Sequence, residues 1–389
     1  MSKLLFIYET DMPTISITRD VFSNMKNHPE IDADFVYLSN LSSKEIDSHD
    51  IIIFIRPMDI YSWHVAKKAR EAGHLTICFC DDDLLDLPPT LPTIPWRKKG
   101  LLRALHNSDV IWSSSWHIAK KYRDKTHGKR MVITDTILQP EELEGIDDKT
   151  PTAQAVKIVY AAGTSHAGLF EQYVKPIVPE LVKEFGDGIS WTFVGVHPEL
   201  DGVPCEYVSG MPLKEYREYM RAQGFDIGLA PLNTDEFSKC KYFNKFIEYT
   251  TQGIMGIYTD TEPYSSVIVD GQNGLLSRND PVEWLNTLRM AIRDSNLRNK
   301  CLQNAVIYLR DNHSEDAVIA GFEKDLPEIL SDKPVYGKCK HFEQYKLLYY
   351  LSRPVDWVYM ALFYIRRTGI KDVIARIKVH VHGHAYSRK

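Results

Sequence analysis

Residues 225–276 read FDIGLAPLNTDEFSKCKYFNKFIEYTTQGIMGIYTDTEPYSSVIVDGQNGLL. Residues 226–232 form a short apolar run containing Pro231, which predicts a buried strand. A polar loop, 233–243, follows. Residues 244–252 carry helix signals: Asn244 stands where an N-cap belongs, and Gly253 where a left-handed C′ residue belongs. Residues 254–258 predict a second strand and 260–264 a second loop. Strand, loop, helix, strand implies a parallel sheet.

The start of that helix carries chemistry. Its first N–H groups have no intrahelical acceptor and point towards the sheet edge at which open α/β folds bind ligands. Lys245 lies in the first turn, where a cation opposes the helix dipole and a bound anion would relieve the penalty. Glu248 follows at i+3 on the same face. Amides and a lysine suit a pyrophosphate, and a carboxylate suits the hydroxyls of a ribose or sugar. On spacing alone, such a pair is also what an ordinary solvated helix face carries.

The stretch resembles the donor-binding segment of retaining GT-B glycosyltransferases of the GT4 type. The matching residues are DIGLAP at 226–231, Lys245, Glu248 and Tyr249, Gly253, and DGQNGLL at 270–276. Many members of that family place two glutamates eight positions apart; here Cys240 stands eight before Glu248, and Glu236 is out of step. The resemblance implies a GT-B fold, two Rossmann-like doubly wound domains with an interdomain cleft. It also implies a nucleotide-diphosphate sugar donor on the second domain and retention of anomeric configuration.

Outward from this unit, strand and helix alternate in both directions. Strands are predicted at 3–8, 35–38, 51–55, 74–80 and 110–113, and helices at 19–26, 63–72, 101–107 and 116–122, with a loop over 9–18 and an irregular, proline-rich run over 84–96. Arg19 and Arg56 are each expected at the surface. Residues 140–155, acidic and rich in Pro and Thr, read as a linker. The pattern restarts with a strand at 157–162, a helix over 169–185, a strand at 191–194 and, beyond the central unit, helices at 283–293 and 297–309. The expected organisation is an acceptor-side domain over 1–140, a linker over 141–155, a nucleotide-sugar domain over 156–335 and a basic amphipathic tail over 336–389.

The 389 residues, 44% hydrophobic and 25% charged, suit two globular domains with substantial cores. No apolar run approaches the roughly 20 residues that cross a bilayer, and the N-terminal run is too short for a signal peptide. The six cysteines are scattered without a C-x-x-C pair, so neither zinc nor a disulfide framework is suggested, and a cytoplasmic location is expected. The tail, 336–389, holds eleven Lys/Arg against three Asp/Glu, a net +8 that leaves −13 for the rest of a chain whose total is −5. A basic tail on an acidic body points to an anionic membrane surface, reached peripherally from the inner face, and not to nucleic acid.

Further candidates lie at strand ends. The small-residue loop Gly163, Thr164, Ser165, His166 follows the first strand of the second domain, where backbone N–H groups can approach a phosphate; a plain tight turn reads equally well. Asp81-Asp82-Asp83 ends a strand. Clustered aspartates suggest a metal site of the GT-A kind, but the donor-type segment lies in a second domain, so no metal is assigned; Asp81 and Asp82 are candidates for the acceptor side or the reacting centre, and Asp83 for a cap. Arg19 and Arg56 each follow a strand and are candidates for a phosphate of donor or acceptor. In the resembled enzymes the positions of Glu262 and Tyr264 close over the donor sugar.

The reading is a metal-independent, cofactor-free hexosyltransferase that passes a sugar to a glycan or lipid-linked saccharide in cell-surface polysaccharide synthesis. A GT-B sugar-nucleotide epimerase, or a non-catalytic GT-B scaffold at the membrane, are the alternatives.

Overall fold

The computed structural model describes residues 2–23, 25–28, 31–146, 155–163, 167–331, 336–371 and 373–374. The chain divides into two compact units: Met1–Phe22, His28–Thr134 and Phe322–Lys389 form the first, and Ser23–Asn27 with Asp135–Gly321 the second.

The first unit is built on β1 (Ser2–Tyr8), β2 (Ile31–Tyr37), β3 (Ile51–Ile55), β4 (Leu75–Phe79), β5 (Val110–Ser113) and β6 (Arg130–Ile133), in the order β2-β1-β3-β4-β5-β6. All pairings are parallel, with Leu4 beside Ile51 and Ile53 beside Ile77. Ile51 to Ile55 are all buried, as an aliphatic run must be when helices cover both faces of a sheet. The Asp59 side chain caps helix Ile60–Glu71 by accepting from the Tyr61 N–H at 2.7 Å. Late in the chain, Cys339, Phe342 and Tyr349 enter the core beside Leu5, Phe54, Tyr61 and Val65, and helix Lys346–Thr368 follows from there.

The second unit holds β7 (Val156–Ala161), β8 (Ile189–Val194), β9 (Cys205–Val208), β10 (Ile227–Ala230), β11 (Met255–Thr259) and β12 (Leu275–Ser277), in the order β12-β11-β10-β7-β8-β9, again all parallel. Alternation sends Ile227, Leu229, Met255 and Ile257 to a core with Trp284 and Leu288. Ala230 and Tyr258 face the other core, with Phe246 and Tyr249. Each sheet has one place where strand order reverses, between β1 and β3 and between β7 and β10. Ligands of open α/β sheets bind beyond the carboxyl ends of strands at such points.

Several expectations need correction. The helix after β1 spans Pro13–Ser23, so it starts inside the expected loop. The single helix over 169–185 is two, Ala167–Tyr173 and Val178–Phe185, joined by a 3₁₀ turn at Lys175–Ile177; Pro176 and Pro179 lack the N–H that continuation needs. The segment expected to link two domains begins as part of the second one, with Leu143 and Ile146 in its core.

Candidate functional site

In the second unit, helix Asn244–Thr251 starts at the carboxyl edge of β10, next to the strand-order switch. Asn244 is its first helical residue and not the cap; the cap position is Phe243, whose side chain has nothing to offer an N–H. Gly253, at φ 72°, does supply the left-handed exit. The helix sits close on its sheet because β10 carries Gly228: a Cβ there would lie 2.7 Å from the Tyr249 ring. The Tyr249 hydroxyl donates to the Leu229 carbonyl at 2.8 Å, which fixes the helix against the strand.

The structure brings Lys245 and Glu248 together. Nζ lies 2.9 Å from the carboxylate and stands 5.4 and 5.5 Å from the centroids of Tyr216 and Tyr249, over their faces. The lysine side chain is 28% exposed and the glutamate 19%, so each can reach a solute. Burial, and then the Glu248 charge, hold the hydroxyls of Tyr216 and Tyr249 well above the usual phenol range, so both remain protonated donors. A partly exposed i,i+3 pair contributes little to stability, about 0–1 kcal/mol, and a cation at a helix N-terminus costs about 0.3–1 kcal/mol, which offsets it. The arrangement therefore does little for the fold, while an anion at the helix start would satisfy both the lysine and the amides. Tyr216 comes from helix Leu213–Gln223, 29 positions before Lys245, and nothing in the sequence marks it.

The loops beside this helix are held by side chains that the sequence did not flag. Thr259 Oγ1 accepts from the Leu232 N–H at 2.8 Å and donates to Asn279 at 2.9 Å; Asn279 returns a bond to the Leu232 carbonyl at 2.7 Å. Gly163 is exposed at the end of β7's loop, while Thr164, Ser165 and His166 lie outside the described residues. Glu262 accepts from the Ser266 hydroxyl. Tyr264 is 5% exposed and packs 4.8 Å from the Tyr258 ring, so its side chain is part of the core. Cys240 ends the short helix Glu236–Lys239 and is buried, and Glu236 pairs with Lys239. The residues 270–274 form a turn, with Gly271 at φ 68° and Asp270 accepting from the Leu276 N–H at 2.9 Å.

In the first unit, Arg56 is not a surface arginine. It follows β3 with a left-handed backbone, φ 48°, a conformation costing about 1–3 kcal/mol that the surroundings must impose. Its Nε and Nη2 meet the two oxygens of Asp81 at 2.6 and 2.8 Å, and Nη2 also reaches Asp82 at 2.7 Å. Burial alone would lower the Arg56 pKa; the hydrogen bond and charges of Asp81 and Asp82 outweigh it and raise it. Thr14 adds a hydroxyl donor to Asp81 at 2.6 Å. Asp83 is fully buried, accepts from the Leu85 N–H at 3.2 Å and pairs with Lys121 at 2.5 Å. Each aspartate of the run thus already faces a cation, and Asp82, with a third of its side chain exposed, is the one most open to a ligand hydroxyl. Among the described residues no three His, Cys, Asp or Glu are placed to hold a metal ion. Arg19 stands apart from this cluster, donating to the Tyr8 hydroxyl at 3.0 Å and lying over the Phe35 ring.

Beside Arg56, at the switch between β1 and β3, lies a second ionic group. Glu9 accepts from the Met58 and Asp59 N–H groups at 3.2 and 2.8 Å and pairs with Arg97 and, at 3.1 Å, with Arg353. Asp356 accepts from Trp96 Nε1 at 2.6 Å and faces Arg97 at 3.4 Å. Burial, and then the Glu9 charge, raise the Asp59 pKa. Two of these residues belong to the C-terminal helix, more than 250 positions from their partners, and no local pattern announces them.

No family model matches the sequence, and no curated protein sequence does either. Solved structures do match. The apo lipopolysaccharide outer core galactosyltransferase WaaB superposes with a TM-score of 0.55 at 12% identity, over 84% of this chain and 99% of its own. Anabaena HepE in complex with UDP gives 0.56 at 10% identity, over 84% and 100%. Apo OtsA gives 0.57 at 11%, over 86% and 100%. The two parallel six-stranded sheets with their helices make this a GT-B fold, as the resemblance of residues 226–276 implies.

Proposed function

We propose that this chain is a glycosyltransferase that moves a sugar from a nucleotide-diphosphate donor to a hydroxyl of a glycan or lipid-linked saccharide, with retention, as a GT4-type enzyme of cell-surface polysaccharide synthesis. The observation that carries this reading is Lys245 beside Glu248 at the start of helix Asn244–Thr251, on the carboxyl edge of β10 at the strand-order switch. Several solved neighbours hold UDP or UDP-glucose, which makes a uridine diphosphate sugar the first donor to try.

In this reading Lys245 and the first amides of the helix hold the diphosphate, and Glu248 accepts from ribose or sugar hydroxyls. The sugar C–O bond to the diphosphate breaks with its electron pair staying on the phosphate oxygen. Lys245 and the helix terminus stabilise that charge, and the acceptor oxygen bonds to the anomeric carbon as its proton leaves. No metal is required for this. Asp82 offers a carboxylate to the acceptor hydroxyl, with Asp81 and Arg56 positioning it. The basic tail brings the protein to the anionic inner face of a membrane, where a lipid-linked acceptor lies.

Thermal-shift measurement against UDP, GDP, dTDP and CMP tests the donor half. A ligand at 100 times its Kd stabilises a fold by about 2.7 kcal/mol. One nucleoside diphosphate raising Tm, followed by turnover of its sugar only with acceptor present, supports the proposal. No shift with any of them overturns it, and an isomerised sugar nucleotide made without acceptor would identify an epimerase instead.

A further inference from the structure

We propose that the outer face of helix Lys346–Thr368 is a lipid-binding surface that lies flat in the head-group boundary of a phospholipid bilayer. This deepens the reading above and rests on it only for the acceptor being lipid-linked.

The helix has 23 residues, a rod about 34 Å long. Its inner side is accounted for. Tyr349 and Asp356 are buried, Ser352 donates to Asp59 at 3.3 Å, and Tyr359 donates to the Thr93 carbonyl at 3.2 Å. The opposite side carries Leu347, Leu351, Val355, Val358, Leu362 and Ile365, each between 38% and 64% exposed. Their spacing, four or three throughout, makes one stripe from the first turn to the last. A helix resting on a globular unit carries charge on its outward face; this one carries aliphatic side chains along its whole length. Tyr350 and Trp357, also exposed, border the stripe. Arg366 and Arg367 close the last turn and Lys371 follows.

No helix among the described residues is long and apolar enough to cross a membrane. An aliphatic stripe, bordering aromatics and basic residues at its end are what an interfacial helix presents, with the apolar side sunk about 5–10 Å and the cations among head groups. Charge decides between lipid and a second copy of the chain. Arg366, Arg367 and Lys371 stand at the end of the stripe with no acid among the six aliphatic residues, so a second copy seated on it would bring like charges to a stripe that offers them no partner, whereas anionic lipid complements them. The inner side also gives the docking a use. Arg353 reaches Glu9, which binds the N–H groups of Met58 and Asp59, and Asp356 binds Trp96. The helix that meets the lipid is therefore tied to the loop after β3, on the edge where Arg56 and Asp82 await an acceptor.

The test is vesicle co-sedimentation of the full chain with phosphatidylcholine alone and with phosphatidylcholine–phosphatidylglycerol, at low and high salt, alongside the UDP thermal shift. The expected result is binding to anionic vesicles that falls with salt but persists in part. The double variant Leu351→Glu/Val358→Glu should lower vesicle affinity at least tenfold while leaving the UDP shift and Tm unchanged. A dye at Leu351→Cys should report an apolar environment only with vesicles. Unchanged vesicle binding in the double variant overturns the stripe, as does a UDP shift with no vesicle binding. A dimer that the double variant dissolves would assign the stripe to a second copy, and vesicle binding that appears only on removal of residues 375–389 would assign it to the chain's own end. Vesicle binding without any nucleotide shift would leave this inference standing while the donor reading fails.

Discussion

The Lys245 ammonium stands 2.9 Å from the Glu248 carboxylate, between the faces of two tyrosine rings, on a helix end that electrostatics would rather leave to an anion. Lys245→Ala should therefore separate binding from stability. A charge-assisted contact to diphosphate is worth about 1.5–3 kcal/mol, so calorimetry should show nucleotide affinity falling tenfold or more. Tm of the free protein should hardly move. Equal affinity in the variant would take Lys245 out of the site.

Gly228→Ala should act through packing. The added methyl meets the Tyr249 ring at 2.7–2.8 Å, and that ring is buried and hydrogen-bonded, so the helix must shift. Overpacking of this kind costs about 1–3 kcal/mol. Tm should fall, and nucleotide affinity with it, because the helix start moves. Loss of stability with affinity intact would show that the site does not depend on this helix's seating.

Sugar transfer should survive EDTA. Lys245 and the helix amides meet the leaving charge, and a divalent ion at Asp81 and Asp82 would have to displace the Arg56 guanidinium. Loss of activity on chelation, restored by Mn²⁺ and dependent on Asp81, would reverse that assignment. Arg56→Ala should lower Tm and acceptor use together, since it leaves two neighbouring carboxylates without their cation.

Acid should weaken the first unit through His64. Its ring is stacked between Trp63 and Tyr345 at 3.7 and 3.8 Å; burial, then Lys67 and Arg103, lower its pKa to about 4. The unfolded chain takes up the proton near pH 6.5, before the folded one does. This contribution to stability is thus present in full above about pH 6.5 and is lost as pH falls towards 4. His64→Phe keeps the stack and removes the proton, so the slope of Tm against pH over that window should flatten. An unchanged slope would place the acid sensitivity elsewhere.

How far the sequence could be read depended on where side chains find their partners. β3 and β5 were legible to the residue because a central parallel strand must be apolar throughout. The edge strands β9 and β12 were missed: Glu206 and Tyr207 are exposed, and three residues make no pattern. Lys245 and Glu248 could be paired because one helix turn joins them. The bond between Arg56 and Asp81 spans the ends of two strands, and the tyrosine beneath Lys245 comes from a different helix, so neither spacing nor composition could announce them.

Glu9 and Arg353 are 344 positions apart. At a synthesis rate of about 5–20 residues per second, roughly 17–70 s separate their emergence from the ribosome. For most of that interval, from the synthesis of Arg97 onward, the acid that holds the Met58 and Asp59 amides has one cation and lacks its second, and until residue 342 the pocket filled by Phe342 and Tyr349 has no occupant. The continuous stretch Asp135–Gly321 has fully emerged before helix Lys346–Thr368 exists. The half of the protein that begins first is therefore completed last, and a nascent chain stalled before residue 340 should expose an unfinished first unit to chaperones beside a finished second one.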